Sequence, residues 1–286
     1  MLRPNLFRRV TIVGVGLIGG SLGLAIKKHN IAREVVGVSQ REATLTQALQ
    51  SGAIDVALTD MSKAIRDSDL VVLAAPVETI VSLIPTITPF LKRGGIVTDV
   101  GSAKVEIIDA AESGLPPYVF FVSSHPLAGS EKKGIEFARA DLFEGAQCII
   151  TPTERTNQAA KEKMKQFWMR LGSKVAELAP EEHDELLAYI SHLPHLVAYA
   201  LMGTLPLKSV EYPLQGLKDA SRISASSPQL WADICMANSK NILKTLDEFV
   251  EHLSEFRRAI IQRDKNTLIQ YFTKAQEKRN AIFPDA

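Results

Sequence analysis

The chain has 286 residues, 46% of them hydrophobic and 23% charged, with a formal net charge of +1. This is enough apolar material for one large domain or two ordinary ones. The near-neutral balance, with no basic block, excludes the electrostatic footprint of a nucleic-acid or anionic-membrane binder. The two cysteines, Cys148 and Cys235, lie far apart in apolar surroundings and read as small core residues rather than a disulfide or a metal pair.

The first informative element is Val10-Thr11-Ile12-Val13-Gly14-Val15-Gly16-Leu17-Ile18-Gly19, a buried strand running into G-x-G-x-x-G. In a dinucleotide-binding turn Gly14 allows the tight bend, Gly16 lets backbone N–H groups approach a pyrophosphate, and Gly19 lets the next helix pack on the strand. Leu17 and Ile18 open that helix, whose dipole and unpaired donors face the phosphates. Arg8-Arg9 before an uncharged run to Ile26 also resembles a twin-arginine export signal. The glycines, however, fall where the nucleotide loop needs them, and a second strand at 34–38 follows directly. The stretch is expected to be the first structural element of a cytoplasmic protein. No later apolar run is expected to reach bilayer length.

The second strand ends at Val38-Ser39-Gln40-Arg41. An NAD site usually carries Asp or Glu there, to accept hydrogen bonds from the adenosine ribose. Ser39 brings no repulsion against a 2′-phosphate, and Arg41 is suited to pair with one. The pattern favours NADP over NAD, although Arg41 also reads as a solvated residue opening the next helix.

Further strands are expected at 70–74, 96–100, 120–123 and 147–150, with a weaker one at 174–178, mostly separated by helical patterns such as 43–51 and 80–91. The alternation predicts an α/β fold, an N-terminal Rossmann-type doubly wound, largely parallel sheet over residues 1–178. From Pro180 the period changes to that of helices, with a long amphipathic segment at 238–261 and another helix at 264–280. Residues 179–286 are therefore expected to form an all-helical substrate and dimerisation domain.

Three groups of residues carry candidate chemistry: Asp99-Val100-Gly101-Ser102-Ala103-Lys104; His125-Pro126-Leu127-Ala128-Gly129-Ser130-Glu131; and, in the helical half, Ser191-His192-Leu193-Pro194-His195 with Lys218-Asp219-Ala220-Ser221-Arg222. The first two follow strands, where open α/β sheets bind ligands. Singly, each has an ordinary reading: a capping Ser102, a histidine at a turn, a surface Lys218. Together with the glycine loop they give five ordered motifs, and by them the chain resembles the prephenate/arogenate (cyclohexadienyl) dehydrogenase family of tyrosine biosynthesis over essentially its whole length.

The resemblance implies an NAD(P)-dependent oxidative decarboxylation, giving 4-hydroxyphenylpyruvate from prephenate or tyrosine from arogenate, in a homodimer joined through the helical domain. It implies that His125 is the base toward the ring hydroxyl, and that Ser102 hydrogen-bonds both His125 and that hydroxyl. Arg222 then matches the substrate-carboxylate arginine. His195, with His192 one turn earlier, lines the pocket, and Lys218 is a weaker pocket candidate. Trp231 reads equally as a pocket wall or as plain core. Glu131 and Glu136 are candidates for the ammonium of arogenate, or for loop, cap or gate residues. His195 points toward prephenate and NADP toward arogenate, so both substrates stay open. At this length no fused mutase or regulatory domain is expected.

Two rival readings differ in what they need. A β-hydroxyacid-type NADP dehydrogenase usually carries its catalytic lysine on the helical half, whereas His125 follows a strand. A non-catalytic NADP-binding sensor would not need Ser102, His125 and Arg222 together. His192 and His195 have metal-ligand spacing, but no nearby acid or cysteine completes a site, so no metal is expected.

Overall fold

A computed structural model describes residues 4–129, 132–206 and 215–284. Strands β1 (Phe7–Val13), β2 (Ala32–Val38), β3 (Val56–Leu58), β4 (Leu70–Leu73), β5 (Ile96–Asp99) and β6 (Phe120–Phe121) form one sheet in the order β3-β2-β1-β4-β5-β6. Every neighbouring pair is parallel. Helices α1 (Leu17–Lys28), α2 (Glu42–Gln50), α3 (Met61–Ile65), α4 (Val77–Ile87) and α5 (Val105–Gly114) supply the crossovers. Alternate residues of β4 feed opposite faces: Leu70 and Val72 join the core around Ile12 and Leu22, while Val71 and Leu73 join the core around Ile80 and Ile107. A sheet buried on both faces accounts for the near-continuous Val/Ile runs of its strands. The expected Rossmann-type sheet is present; β3 and α3, only three and five residues long, carry too little periodicity to be read in advance.

The chain leaves this sheet after β6. Strands β7 (Ser124–Pro126), β8 (Gln147–Ile150) and β9 (Lys174–Glu177) form a second, three-stranded sheet, with α6 (Gln158–Arg170) between β8 and β9. In it β7 runs antiparallel to β8, with His125 opposite Ile149, and β9 runs parallel to β8. The expected strand at 120–123 is thus shortened to 120–121, and the strands after it do not extend the first sheet. The cause is Asp99, whose Oδ1 accepts bonds from the Ser123 hydroxyl (2.8 Å) and the Ser124 N–H (3.3 Å) and so redirects the chain.

The helical part comprises α7 (Pro180–Leu187), one wide π turn over Ala188–His192, α8 (Leu193–Gly203), α9 (Gln215–Ser221), α10 (Pro228–Ala237), α11 (Ser239–Gln262) and α12 (Lys265–Ile282). Pro194 explains the wide turn: it offers no N–H to the preceding turn, and its ring crowds the carbonyl there. The stretch from Pro180 to Gly203 does reach bilayer length, at 24 residues and mean hydropathy 1.3, which corrects the expectation that no run would. It also carries buried His183, Asp184 and His192, groups that belong to the site described below.

The chain divides into two compact units, 1–239 and 240–286. Helices α7 to α10 therefore pack with the two sheets. Within the second unit Phe256 meets Tyr271 and Phe272 at ring-centroid distances of 5.4 and 5.8 Å.

Gly14 has φ +96°, and a Cβ there would stand 2.3 Å from the Ala74 carbonyl oxygen, whereas a Cβ at Gly16 would meet nothing within 4 Å. Gly14→Ala should therefore lower folding stability by roughly 1–3 kcal/mol, and Gly16→Ala by under about 0.5 kcal/mol. Urea unfolding of the two variants checks the contrast, and equal losses would refute it.

Candidate active site

The ends of β1, β4 and β5 open onto one cavity of about 690 Å³. The reversal in strand order falls between β1 and β4, the position where open α/β sheets bind dinucleotides. Gly16, Leu17, Ile18 and Gly19 line the cavity after β1, Ala74 to Val77 after β4, and Val100 to Ser102 after β5. His125 to Gly129, Lys132 and Lys133 come from β7 and the segment after it. Ser191, His192, His195, Arg222 and Trp231 close it from the helical side.

The glycine loop fits a dinucleotide. Gly14 makes the turn, its N–H bonded to the Val38 carbonyl at 2.9 Å. The open space beside Gly16 is the room a phosphate needs. Gly19 closes on the Gly14 carbonyl so tightly that a Cβ would lie 1.9 Å away. Ser39, half-exposed, directly follows β2, and exposed Arg41 caps α2 with its N–H on the Ser39 Oγ at 3.2 Å. Neither lines the main cavity, but both flank the strand end where an adenosine ribose is read.

His125 is buried, and its partner is His183 rather than Ser102. His125 Nδ1 lies 2.9 Å from His183 Nε2, and His183 Nδ1 lies 2.8 Å from Asp184 Oδ1. Asp184 in turn accepts the Lys104 and Val105 N–H groups at 2.8 and 3.1 Å, across the start of α5. Burial, with Lys104, His183 and His192 near, pushes the His125 imidazole well below its ordinary range, so at neutral pH it is uncharged. Its Nε2 has no partner among the described residues. Ser102 lines the same cavity but makes no bond to His125, which corrects that expected pairing.

The remaining pocket histidines are held through their Nδ1 atoms. Asn238 Nδ2 donates to His192 Nδ1 (3.1 Å) and to the Asp184 carbonyl (2.7 Å), so His192 carries its proton on Nε2. His195 Nδ1 bonds the Ser191 carbonyl at 2.9 Å, which can only accept, so its Nε2 is the unprotonated acceptor. Trp231 stacks on His195 at 3.6 Å and 21°, making it a pocket wall. Arg222 stands exposed at the cavity edge without an ion-pair partner among the described residues, and its charge helps to lower the His195 pKa after burial.

The structure thus brings together the glycine loop, Ser102, His125, His192, His195, Arg222 and Trp231. Lys218 is exposed and outside the cavity, as is Glu136. Glu131 lies outside the described residues. The residues missed from sequence are His183 and Asp184, absorbed into a helix opening. A helical stripe through Pro180, His183, Asp184, Leu187 and Ala188, all buried, was the available signal.

A dinucleotide loop facing an uncharged histidine and an arginine defines the class, a dinucleotide-dependent oxidoreductase. Comparison with known proteins narrows it. Residues 22–177 match the family model "prephenate dehydrogenase, nucleotide-binding domain", and residues 179–274 match "prephenate dehydrogenase, dimerization domain". The chain is 35% identical to the prephenate dehydrogenase of Bacillus subtilis, over 96% of this chain and 76% of that protein. It is 34% identical to the cyclohexadienyl dehydrogenase of Zymomonas mobilis, over 98% of each. The crystal structure of prephenate dehydrogenase from Aquifex aeolicus, in complex with hydroxyphenyl propionate and NAD+, superimposes with a TM-score of 0.90 at 32% identity, covering 96% of this chain and 98% of that one. The chain belongs to the prephenate dehydrogenase family. It is an oxidoreductase that uses a nicotinamide cofactor for oxidative decarboxylation of prephenate or arogenate.

Burial lowers the His192 pKa to about 4, below the ordinary value near 6.5. Between these values the unfolded chain binds the proton and the folded chain does not, so this contribution is present at neutral pH and lost as pH falls. Acidification from neutral to pH 5 should cost about 2 kcal/mol through His192 alone. His192→Asn, which keeps an acceptor for Asn238, should remove that part of the loss in urea titrations. An unchanged pH slope would show that His192 is not buried and neutral.

Proposed function

We propose that His125 is the general base of this dehydrogenase and that the pocket accepts both prephenate and arogenate. The observation that carries the reading is a buried, uncharged His125, its Nε2 without a partner among the described residues, in one cavity with the glycine loop and Arg222. A bound nicotinamide supplies the hydride acceptor. His125 Nε2 takes the ring-hydroxyl proton as the hydride departs. The ring carboxylate leaves as CO₂, its bonding pair completing the aromatic ring, and the proton returns to the phenolic oxygen. Ser102 holds the same hydroxyl by direct contact, and Arg222 holds the side-chain carboxylate in a planar fork. His192 Nε2–H is a donor suited to the keto oxygen of prephenate; His195 Nε2, an acceptor, is instead suited to the ammonium of arogenate, the reverse of the sequence expectation that His195 points toward prephenate. Lys218, exposed outside the cavity, is given no contact with substrate. Among the described residues no lysine of the helical half lines the cavity, which disfavours a β-hydroxyacid-type mechanism.

NADP is the proposed cofactor. Ser39 offers no charge against a 2′-phosphate and Arg41 stands exposed two residues on, although the Aquifex aeolicus protein was solved with NAD+. The functional division of the chain is proposed at 178, where the two family models meet. Cytoplasmic residence is supported by the Arg8–Ile26 run being built into β1, its loop and α1.

The test is nicotinamide reduction with NADP⁺ and NAD⁺, each against prephenate and L-arogenate. His125→Ala should lower turnover roughly 10²–10⁴-fold with either substrate, and a loss under about fivefold would overturn the base. Arg222→Ala should raise KM about 10- to 100-fold with a smaller change in kcat, the strength of one exposed charge-assisted pair. Arg41→Ala should cut kcat/KM about tenfold for NADP⁺ alone. Equal effects on both cofactors would remove the 2′-phosphate contact.

We further propose a homodimer through the helical region. Leu253, Ile260, Ile261, Ile269 and Phe272 of α11 and α12 stand about half-exposed or more, an apolar stripe of the kind that marks an interface. Leu253→Glu should shift the protein toward monomer in light scattering coupled to gel filtration. A monomeric wild type would overturn the proposal.

A further inference from the structure

We propose that His183 and Asp184 are positioning residues that fix the tautomer of His125 and share the proton it takes up; the proposal rests on His125 being the base. Both Asp184 oxygens already accept backbone donors, Oδ1 from the Lys104 N–H and Oδ2 from the Val105 N–H, so His183 Nδ1 carries the proton between it and Asp184 Oδ1. An uncharged His183 then offers a lone pair at Nε2. The 2.9 Å contact obliges His125 Nδ1 to donate, which leaves His125 Nε2 unprotonated toward the cavity. A His125 with its proton on Nε2 would be a donor there, unable to take a hydroxyl proton.

The same chain has room for the proton. When the hydroxyl proton arrives at His125 Nε2, the His125 Nδ1 proton can pass to His183 Nε2. The cation then rests on His183, paired with the Asp184 carboxylate, and the shift reverses when the phenolic oxygen is reprotonated. No atom or electron is gained or lost. The alternative resting state, a protonated His183, is opposed by its complete burial, which lowers its pKa more than the Asp184 bond raises it. The groups facing this pair are Lys104 and His192 toward His125, and Asp184, Lys104 and Asp99 toward His183. The rings meet edge to face, with centroids 5.1 Å apart, a geometry that serves the Nδ1–Nε2 bond rather than stacking.

Two measurements test this, one of them independent of turnover. Histidine-nitrogen NMR of the labelled wild type should find the proton on Nδ1 in His125 and His183, and on Nε2 in His192, at neutral pH. A Nε2–H tautomer of His125, or a cationic His183, would overturn the proposal. His183→Leu should lower kcat about 10- to 100-fold with KM within about twofold, shift the acid limb of the kcat profile, and mix the His125 tautomers. His183→Gln returns an oxygen acceptor near the lost Nε2 and should restore the single tautomer, but, having no base to take the proton, should recover the rate only in part. An H183L enzyme with near-normal kcat and an unmixed His125 signal sinks the relay. If His125→Ala itself keeps its rate, the base assignment has failed instead, and the NMR result still decides the tautomer. Asp184→Asn is the poorer probe, because Asp184 also holds the start of α5.

Discussion

The site depends on one buried ion pair. Asp99 and Lys104 have fully buried side chains and bond one another. Taking two such charges out of water is costly, and the pair holds only if nearly every lone pair and proton is used. Asp99 also accepts from the Gly101 N–H, the Ser123 hydroxyl and the Ser124 N–H. The Lys104 ammonium also donates to the Ser124 carbonyl at 3.0 Å. Together these bonds tie the end of β5 to the segment that carries His125. Removing either partner would leave an unpaired buried charge, typically a loss of about 3–5 kcal/mol. The Lys104 N–H continues the chain of contacts to Asp184, so the ion pair, the helical side and the proposed base form one hydrogen-bonded body.

That body encloses a pocket whose histidines are uncharged. The three histidines that line it are buried or half-buried, and burial is the first cause lowering each of their pKa values. An uncharged imidazole with its Nδ1 satisfied costs little to bury. It then presents Nε2 as either donor or acceptor, depending on what Nδ1 meets. The neighbours differ: a histidine for His125, an amide for His192, a carbonyl for His195. Three identical side chains thereby acquire different chemistry. Arg222, like Lys132 and Lys133, stands at the exposed rim, where hydration stabilises its charge.

Much of this was legible in the sequence where backbone sterics leave no choice. The glycine loop is an example: the Gly14 turn and the Gly19 approach exclude a Cβ, so only glycine satisfies them. His125 and Arg222 were legible through ordered motifs, and the helical half through its period. The second sheet was not, because β7 has three residues and the departure from the first sheet is directed by Asp99 side-chain bonds rather than by a turn residue. His183 and Asp184 were hidden for a related reason. They stand in Glu181-Glu182-His183-Asp184, a string that reads as an exposed, dipole-favoured helix start. Glu181 and Glu182 are exposed, while the next two are buried.

The tautomers lie one level deeper than the contacts. No residue pattern encodes which nitrogen of His125 is protonated, because the answer depends on Asp184, which is tied to backbone donors eighty residues earlier in the chain. Those donors are free only because they head a helix whose first N–H groups have no intrahelical acceptor. The start of α5 therefore acts at a distance. By demanding an acceptor it holds the Asp184 side-chain oxygens in place, Asp184 orients His183, and His183 orients His125. In this way a general property of helix ends is passed through three side chains to the atom on which the proposed proton transfer turns.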